Sequence, residues 1–219
     1  MQVNEIFTSL SGECDGFSNQ GGLATFVRLQ GCNLSCAWCD TFGALALPRT
    51  GGKEMSVAKV ANQCTSYHTI ITGGEPLLQI EEVTQLIELL CPYGRKRRLI
   101  TIETNGSIPL TIDPAHTRYE TLRWVVDYKL DSSGMSKYML PEVFDGLYEL
   151  DVIKFVVKDL QDYRQAIELI LRNQQWSAKK ILSPLIGGEW PKHLASTMVN
   201  NKLEEACFAL QWHKLLAIK

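Results

Sequence analysis

Six short runs rich in β-branched residues punctuate the chain: Leu23–Gln30, Tyr67–Gly74, Arg98–Gly106, Leu122–Leu130, Asp151–Val157 and Lys179–Leu185. Apolar runs of this length, bounded by turn residues, read as buried strands. Between them lie helical patterns. Within Ile80–Leu90, residues Val83, Leu86, Ile87 and Leu90 recur at i, i+3, i+4 and i+7, and Ser56 precedes VAKVANQC. Pro141–Leu150, Leu160–Asn173 and Pro191–His213 read as further helices. Alternation of strand and helix predicts parallel βαβ units with right-handed crossovers. A complete eight-fold barrel takes roughly 250 residues, and this chain has 219. The expected fold is therefore α/β, an open, partial, six-stranded parallel TIM-like barrel. No repeat, linker or low-complexity tract interrupts it, so a single domain over 1–219 is expected.

The expected strands end in chemically distinctive residues. The first leads into three cysteines, the second into Thr72-Gly73-Gly74-Glu75-Pro76, and the third into Glu103-Thr104-Asn105-Gly106. The fourth ends at Asp127-Tyr128-Lys129, the fifth at Lys158-Asp159, and the sixth at Ser183-Pro184-Leu185-Ile186. In a parallel barrel the C-terminal strand ends share one mouth, so these groups should converge there.

Twenty-two Lys and Arg against 24 Asp and Glu produce no global field toward nucleic acid or anionic membrane, and neither partner is expected. The basic run Arg95–Arg98 reads as a solvated loop, with an anion or RNA patch as the alternative. MQVNEIFTSL lacks a basic n-region and a long apolar core, and no run approaches the ~18 apolar residues of a membrane span. Seven unevenly spaced cysteines do not look like a disulfide framework. A cytoplasmic protein is expected, with its thiols serving metal or catalysis.

Cys32, Cys36 and Cys39 stand in the spacing C-x3-C-x2-C within LQGCNLSCAWCDT. A structural zinc site usually takes four ligands, and Cys14 or Cys64 could complete one. Three cysteines on a four-iron cluster instead leave one iron open for a small molecule. Three thiols without any metal are the third reading. Elsewhere, an isolated Arg28 in the first strand demands a partner. Its planar fork suits a ligand carboxylate, and pairing with Glu13 or Glu103 is the structural alternative.

The cysteine motif, with Trp38 before its last cysteine, and GGEP at Gly73–Pro76 one strand later resemble the radical S-adenosylmethionine superfamily. The flanks EIFTSLSGE at Glu5–Glu13 and FVRLQGCNLSCAWCDT at Phe26–Thr41 are similar to the 7-carboxy-7-deazaguanine synthase family. So are TGGEP, ETNG, Asp127-Tyr128-Lys129, Ser183-Pro184 and the C-terminal Gln211-Trp212-His213-Lys214, so the resemblance spans the chain. It implies a reduced radical S-adenosylmethionine barrel, a homodimer, and ring contraction of 6-carboxy-5,6,7,8-tetrahydropterin to 7-carboxy-7-deazaguanine and ammonia in queuosine biosynthesis. The implied cofactors are a [4Fe-4S] cluster, S-adenosylmethionine and Mg2+, with a flavodoxin or ferredoxin as reductant.

By the same resemblance, Cys32, Cys36 and Cys39 hold the cluster and Thr41 binds Mg2+. Trp38, Cys39, Asp40, Gly73, Gly74, Glu75, Asp127, Tyr128, Lys129, Ser183, Pro184, Leu185 and Ile186 contact S-adenosylmethionine, joined by location by Asn105 and Ser133. Leu10, Ser11, Gly12, Glu13, Arg28, Thr72, His213 and Lys219 contact the pterin. A lone helical histidine such as His213 is otherwise a surface or capping residue, and Thr41 otherwise a turn residue. The family usually reads QGEG where this chain reads Ser11-Gly12-Glu13-Cys14. Competing expectations are another small radical enzyme, such as a glycyl-radical activase, and a zinc-stabilised binding module.

Overall fold

The computed structural model describes residues 1–12, 20–41, 52–91, 98–112 and 121–218. Its strands are β1 (Gln2–Leu10), β2 (Leu23–Leu29), β3 (Lys53–Glu54), β4 (His68–Gly73), β5 (Leu99–Thr104), β6 (Leu122–Tyr128), β7 (Val152–Val157), β8 (Lys179–Pro184) and β9 (Cys207–Phe208). They form one nine-stranded sheet in the order β3-β1-β2-β4-β5-β6-β7-β8-β9. The six strands expected from the sequence are the consecutive parallel core β2-β4-β5-β6-β7-β8, with β3 and β9 as open edges. This is the open partial barrel.

Two of the flanking pairings are antiparallel. β1 pairs with β2 from Val3↔Leu29 to Leu10↔Leu23, and β3 pairs with β1. β9 extends the far edge in parallel with β8.

Helix α1 (Val57–Gln63) starts at Ser56, whose side chain accepts from the Lys59 N–H. Helix α2 (Ile80–Leu90) buries Val83, Leu86, Ile87 and Leu90, the face its spacing predicts, while Glu81 and Glu82 sit at the positive end of its dipole. After α3 (Pro141–Asp145), helix α4 (Leu160–Arg172) is capped by Asp159, whose side chain accepts from the Gln161 and Asp162 N–H groups. Helices α5 (Trp190–Asn200) and α6 (Trp212–Leu216) complete the chain.

Two helix expectations need correction. The helix read over Pro141–Leu150 ends at Asp145, where the Gly146 N–H caps the Glu142 carbonyl. The one read over Pro191–His213 ends at Asn200, because Lys202 takes φ +51° and turns the chain back to lay β9 against β8.

The interior strands bury almost every residue: β4 has His68 to Ile71 within the core, and Ile100, Ile102, Val126, Ile153, Phe155 and Leu182 are essentially inaccessible. Tyr128, Phe144, Phe155 and Trp176 form an aromatic cluster with centroids 4.7–6.0 Å apart.

Candidate active site

A cavity of about 440 Å3 opens at the C-terminal ends of the parallel strands. Its walls come from β1 and β2 (Glu5, Phe7, Leu10, Phe26, Arg28), the cysteine loop (Trp38, Cys39, Asp40, Thr41) and the ends of β4 and β5 (Thr72, Gly73, Gly74, Glu103, Thr104, Asn105). Asp127 of β6, Lys154 and Val156 of β7, Leu185 after β8 and the C-terminal Gln211, His213, Lys214 and Ile218 close it. Five of the six expected strand ends meet there; the fifth strand contributes Lys154 and Val156, while Asp159, expected at its end, caps α4 instead. The volume lies in the ordinary range for small-molecule sites.

The cysteine loop is pinned from three sides. The Trp38 indole N–H donates to the Ser132 hydroxyl (3.2 Å), which donates to the buried Asp162 carboxylate (2.6 Å). The Ala37 N–H donates to the Ser133 carbonyl at 3.0 Å, and the Lys129 ammonium lies 5.7 Å from the Trp38 ring centre. Cys32 Sγ accepts from the Leu34 N–H at 3.4 Å and the Asn105 amide at 3.8 Å. Burial pushes the Cys32 and Cys36 thiols up, and the Lys129 charge pulls both back toward thiolate.

Among the described residues no three His, Cys, Asp or Glu side chains are grouped to hold a single metal ion. Cys64, a possible fourth zinc ligand, is spent elsewhere: its thiol donates to the Val60 carbonyl in α1, and burial raises its pKa to about 11. Cys14 lies outside the described residues. Three thiols on one loop, two N–H donors on one sulfur and a neighbouring ammonium fit an iron–sulfur cluster, whose thiolates need such donors.

At the GGEP turn, Gly73 has φ +139°, and a Cβ there would sit 2.3 Å from both the N and the O of Leu29. Only glycine allows β4 to run this close to β2. The ladder between β4 and β5 stops at Ile71↔Ile102, whereas that between β2 and β4 continues to Leu29↔Gly73. The backbone over Thr72–Gly74 therefore lines the cavity, away from β5. Glu75 is fully buried: its carboxylate accepts from the Leu77 N–H (2.9 Å), the Thr104 hydroxyl (2.8 Å) and the Asn105 N–H (2.8 Å). It braces β4 to β5 behind the cavity wall.

At the end of β6, Asp127 Oδ2 meets Lys129 Nζ at 2.7 Å, and Asp127 Oδ1 is enclosed without a hydrogen-bond partner among the described residues. Burial opposes the charge on Asp127, yet Lys129 and Lys154 outweigh it and lower its pKa. Tyr128 points to the opposite face, into the aromatic cluster. Lys129, Ser133, Ser183 and Pro184 are buried behind the lining, and Leu185 lines it beside Ile186.

On the other wall Arg28 is paired through Nε with Glu5 at 3.0 Å and lies over Phe7. The sequence pointed to Glu13 or Glu103 for that partner; Glu5 faces Arg28 because β1 and β2 pair Glu5↔Arg28. Glu103 instead accepts from the Thr72 hydroxyl at 2.7 Å. Ser11 is wholly buried, its backbone paired to Gly21 and Gly22, and Leu10 and Gly12 reach the cavity. Asp40 accepts from Lys214 Nζ at 2.8 Å and faces His213 Nε2 at 3.8 Å; chiefly the histidine, then the lysine, holds its carboxyl well below the usual range. Thr41 Oγ1 is 3.5 Å from Cys39 Sγ. Glu13 and Lys219 lie outside the described residues.

Sequence reasoning missed Glu5, Phe7, Phe26, Lys154 and Lys214 as cavity residues. Lys154 carried the same signal as Arg28, a lone cation inside the apolar strand run DVIKFVV.

Residues 26–198 match the family model for the radical SAM superfamily. The chain belongs to that superfamily, whose members use a [4Fe-4S] cluster and S-adenosylmethionine. The 7-carboxy-7-deazaguanine synthase of Methanospirillum hungatei JF-1 is 34% identical over 100% of this chain and 86% of its own. That of Clostridium acetobutylicum is 34% identical over 98% of this chain and 95% of its own. Within the superfamily, the chain belongs to the 7-carboxy-7-deazaguanine synthase family. The fold matches the crystal structure of QueE from Escherichia coli with a TM-score of 0.66 and 22% identity, covering 96% of this chain and 93% of the other.

Proposed function

We propose that this chain, acting as one domain over 1–219, converts 6-carboxy-5,6,7,8-tetrahydropterin to 7-carboxy-7-deazaguanine and ammonia, on the path to queuosine. The observation that carries the reading is the shared cavity. It places the cysteine loop, the open Thr72–Gly74 backbone and the Arg28 guanidinium around one small-molecule volume.

When bound, the cluster would supply an electron and S-adenosylmethionine the radical hydrogen-atom chemistry. The chain's residues orient and enclose. Cys32, Cys36 and Cys39 hold the cluster. The Gly73–Gly74 backbone offers acceptors to an ammonium group, and Asp127 Oδ1, without a partner among the described residues, accepts from a cofactor donor. Trp38, fixed by Ser132, presents an aromatic face beside the cysteines. Arg28 takes the substrate carboxylate: its recorded partner uses Nε, so the terminal N–H groups form the fork. Thr72 sits beside Arg28 in the β2–β4 register, and Leu10 and Gly12 read the pterin edge. Thr41, which lines the cavity, would hold through its hydroxyl Mg2+, a hard cation that takes oxygen ligands.

The working form is a cytoplasmic homodimer reduced by a flavodoxin or ferredoxin. Among the described residues no helix is long and apolar enough to cross a membrane. The test is anaerobic turnover of the pterin by reconstituted protein with S-adenosylmethionine, Mg2+ and reductant, read by mass spectrometry. 7-Carboxy-7-deazaguanine is the expected product, and Arg28→Met should lose it. 5′-Deoxyadenosine without that product would leave the radical chemistry and remove the substrate assignment.

A further inference from the structure

Gln211 lines the cavity, and its Oε1 is enclosed with no hydrogen-bond partner among the described residues. A buried carboxamide oxygen without a donor is destabilising in the free protein, so its retention calls for a role. The residue is not loosely held. The Lys214 and Leu215 N–H groups donate to the Gln211 carbonyl at 3.1 and 3.3 Å. One residue earlier, the Leu210 carbonyl accepts from the Gln20 amide, which also donates to the Gly12 carbonyl at 2.6 Å. Two and three residues later, His213 and Lys214 are engaged with Asp40. The backbone on both sides of Gln211 is thus anchored, and its Oε1 is enclosed at the cavity.

Gln20 ties this segment to Gly12, on the wall assigned above to the pterin edge. At that wall Ser11 is wholly buried and adds no side chain to the cavity lining. Gln211 follows directly on Leu210, whose carbonyl Gln20 ties to Gly12, and it lines the same cavity as Gly12. A 2-aminopyrimidin-4-one edge offers N–H donors in a row, and a fixed carbonyl oxygen is the complement they require. We infer that Gln211 is a specificity-determining residue that accepts a hydrogen bond from the pterin's aminopyrimidinone N–H edge. This rests on the pterin reading above and deepens it. A site built to satisfy a buried polar group on the ligand discriminates steeply against analogues that lack the donor.

The test compares wild type, Gln211→Met and Gln211→Glu. Three readouts are taken: KM for the tetrahydropterin, fluorescence titration with 6-carboxypterin, and affinity for S-adenosylmethionine. Methionine keeps the length and removes the acceptor; glutamate keeps the acceptor. Gln211→Met should raise KM and the 6-carboxypterin Kd about tenfold or more, the usual consequence of losing one well-placed hydrogen bond (about 1.4 kcal/mol). S-adenosylmethionine affinity should stay within about twofold, and the melting temperature should be equal or higher, since an unsatisfied group is removed. Gln211→Glu should stay within about threefold of wild type in KM. The inference is overturned if Gln211→Met binds both pterins like wild type, or if S-adenosylmethionine is weakened as much as the pterin. Wild type that makes the product while Gln211→Met is indistinguishable from it removes the role of Gln211 alone. Wild type that binds 6-carboxypterin in a Gln211-dependent way but makes no product retains that role and removes the reaction. Wild type that neither binds nor turns over a pterin removes both.

Discussion

Alanine at position 73 is the sharpest test of how the GGEP turn is built. Gly73 has φ +139°, and an added Cβ would lie 2.3 Å from Leu29 N and O, with the Leu29 carbonyl carbon at 2.9 Å. These are backbone atoms of a paired strand, so nothing flexible can yield. Holding a side chain in that sparsely populated region costs about 1–3 kcal/mol. Forcing the overlap apart adds about 1–3 kcal/mol, as other overpacked sites do. Relief by strand movement would also break the Gly74 N–H to Leu29 carbonyl bond at 3.1 Å. The sum is roughly 2–6 kcal/mol, or a fall in melting temperature of roughly 5–20 °C for a chain of this size. Gly134→Ala is the control: its φ is +74°, but a Cβ there meets nothing within 4 Å, so conformational strain acts alone. Thermal melts of both variants, with S-adenosylmethionine titrations of the reconstituted proteins, decide the matter. Gly73→Ala melting within about 2 °C of Gly134→Ala, with cofactor affinity intact, would refute the steric argument.

Three further outcomes are expected. Lys129→Met removes the cation hydrogen-bonded to the Asp127 carboxylate and should lower stability by about 3 kcal/mol, with part recovered in the Asp127→Asn double variant, as denaturant unfolding would reveal. Asp162→Ala removes the acceptor shared by the Ser132 hydroxyl and the Lys158 N–H, and should lower stability by about 2 kcal/mol while shifting Trp38 fluorescence; an unchanged emission spectrum counts against the Trp38–Ser132–Asp162 relay. Asp151 is buried, and burial raises its carboxyl above the ordinary range despite the Trp124 and Tyr148 N–H groups it accepts from. A raised native pKa favours the fold below the ordinary carboxylate value and loses that contribution as pH rises through the native one. Wild type should therefore lose stability relative to Asp151→Asn as pH climbs above about 4, and a constant difference between the two would contradict the cause assigned.

What the sequence revealed follows from how the residues are buried. The six parallel strands were legible because each is a continuous apolar run covered on both faces. β1 was not, because QVNEIFTSL is only half buried and lacks such a run. With β1 hidden, the Glu5↔Arg28 register was hidden too, and Arg28 was matched to glutamates by chemistry alone. β9 was read as helix because two residues of edge strand carry no periodic signal. Among the site residues, strand-end motifs located the cavity well. They could not separate side chains that line it, such as Asp127, from neighbours that face away, such as Tyr128 and Glu75. Alternation along a strand settles that for Tyr128; for Glu75 only the three hydrogen bonds it accepts from β5 and the turn show it as a brace.

The most direct test of the central claim is the metal content and electron paramagnetic resonance spectrum of the anaerobically reconstituted protein, before and after S-adenosylmethionine. The expected result is one four-iron cluster per chain, lost when Cys32, Cys36 and Cys39 are replaced together by alanine, with a reduced-state signal that changes when S-adenosylmethionine occupies the open iron. A colourless protein carrying zinc, or a cluster signal indifferent to S-adenosylmethionine, would contradict it.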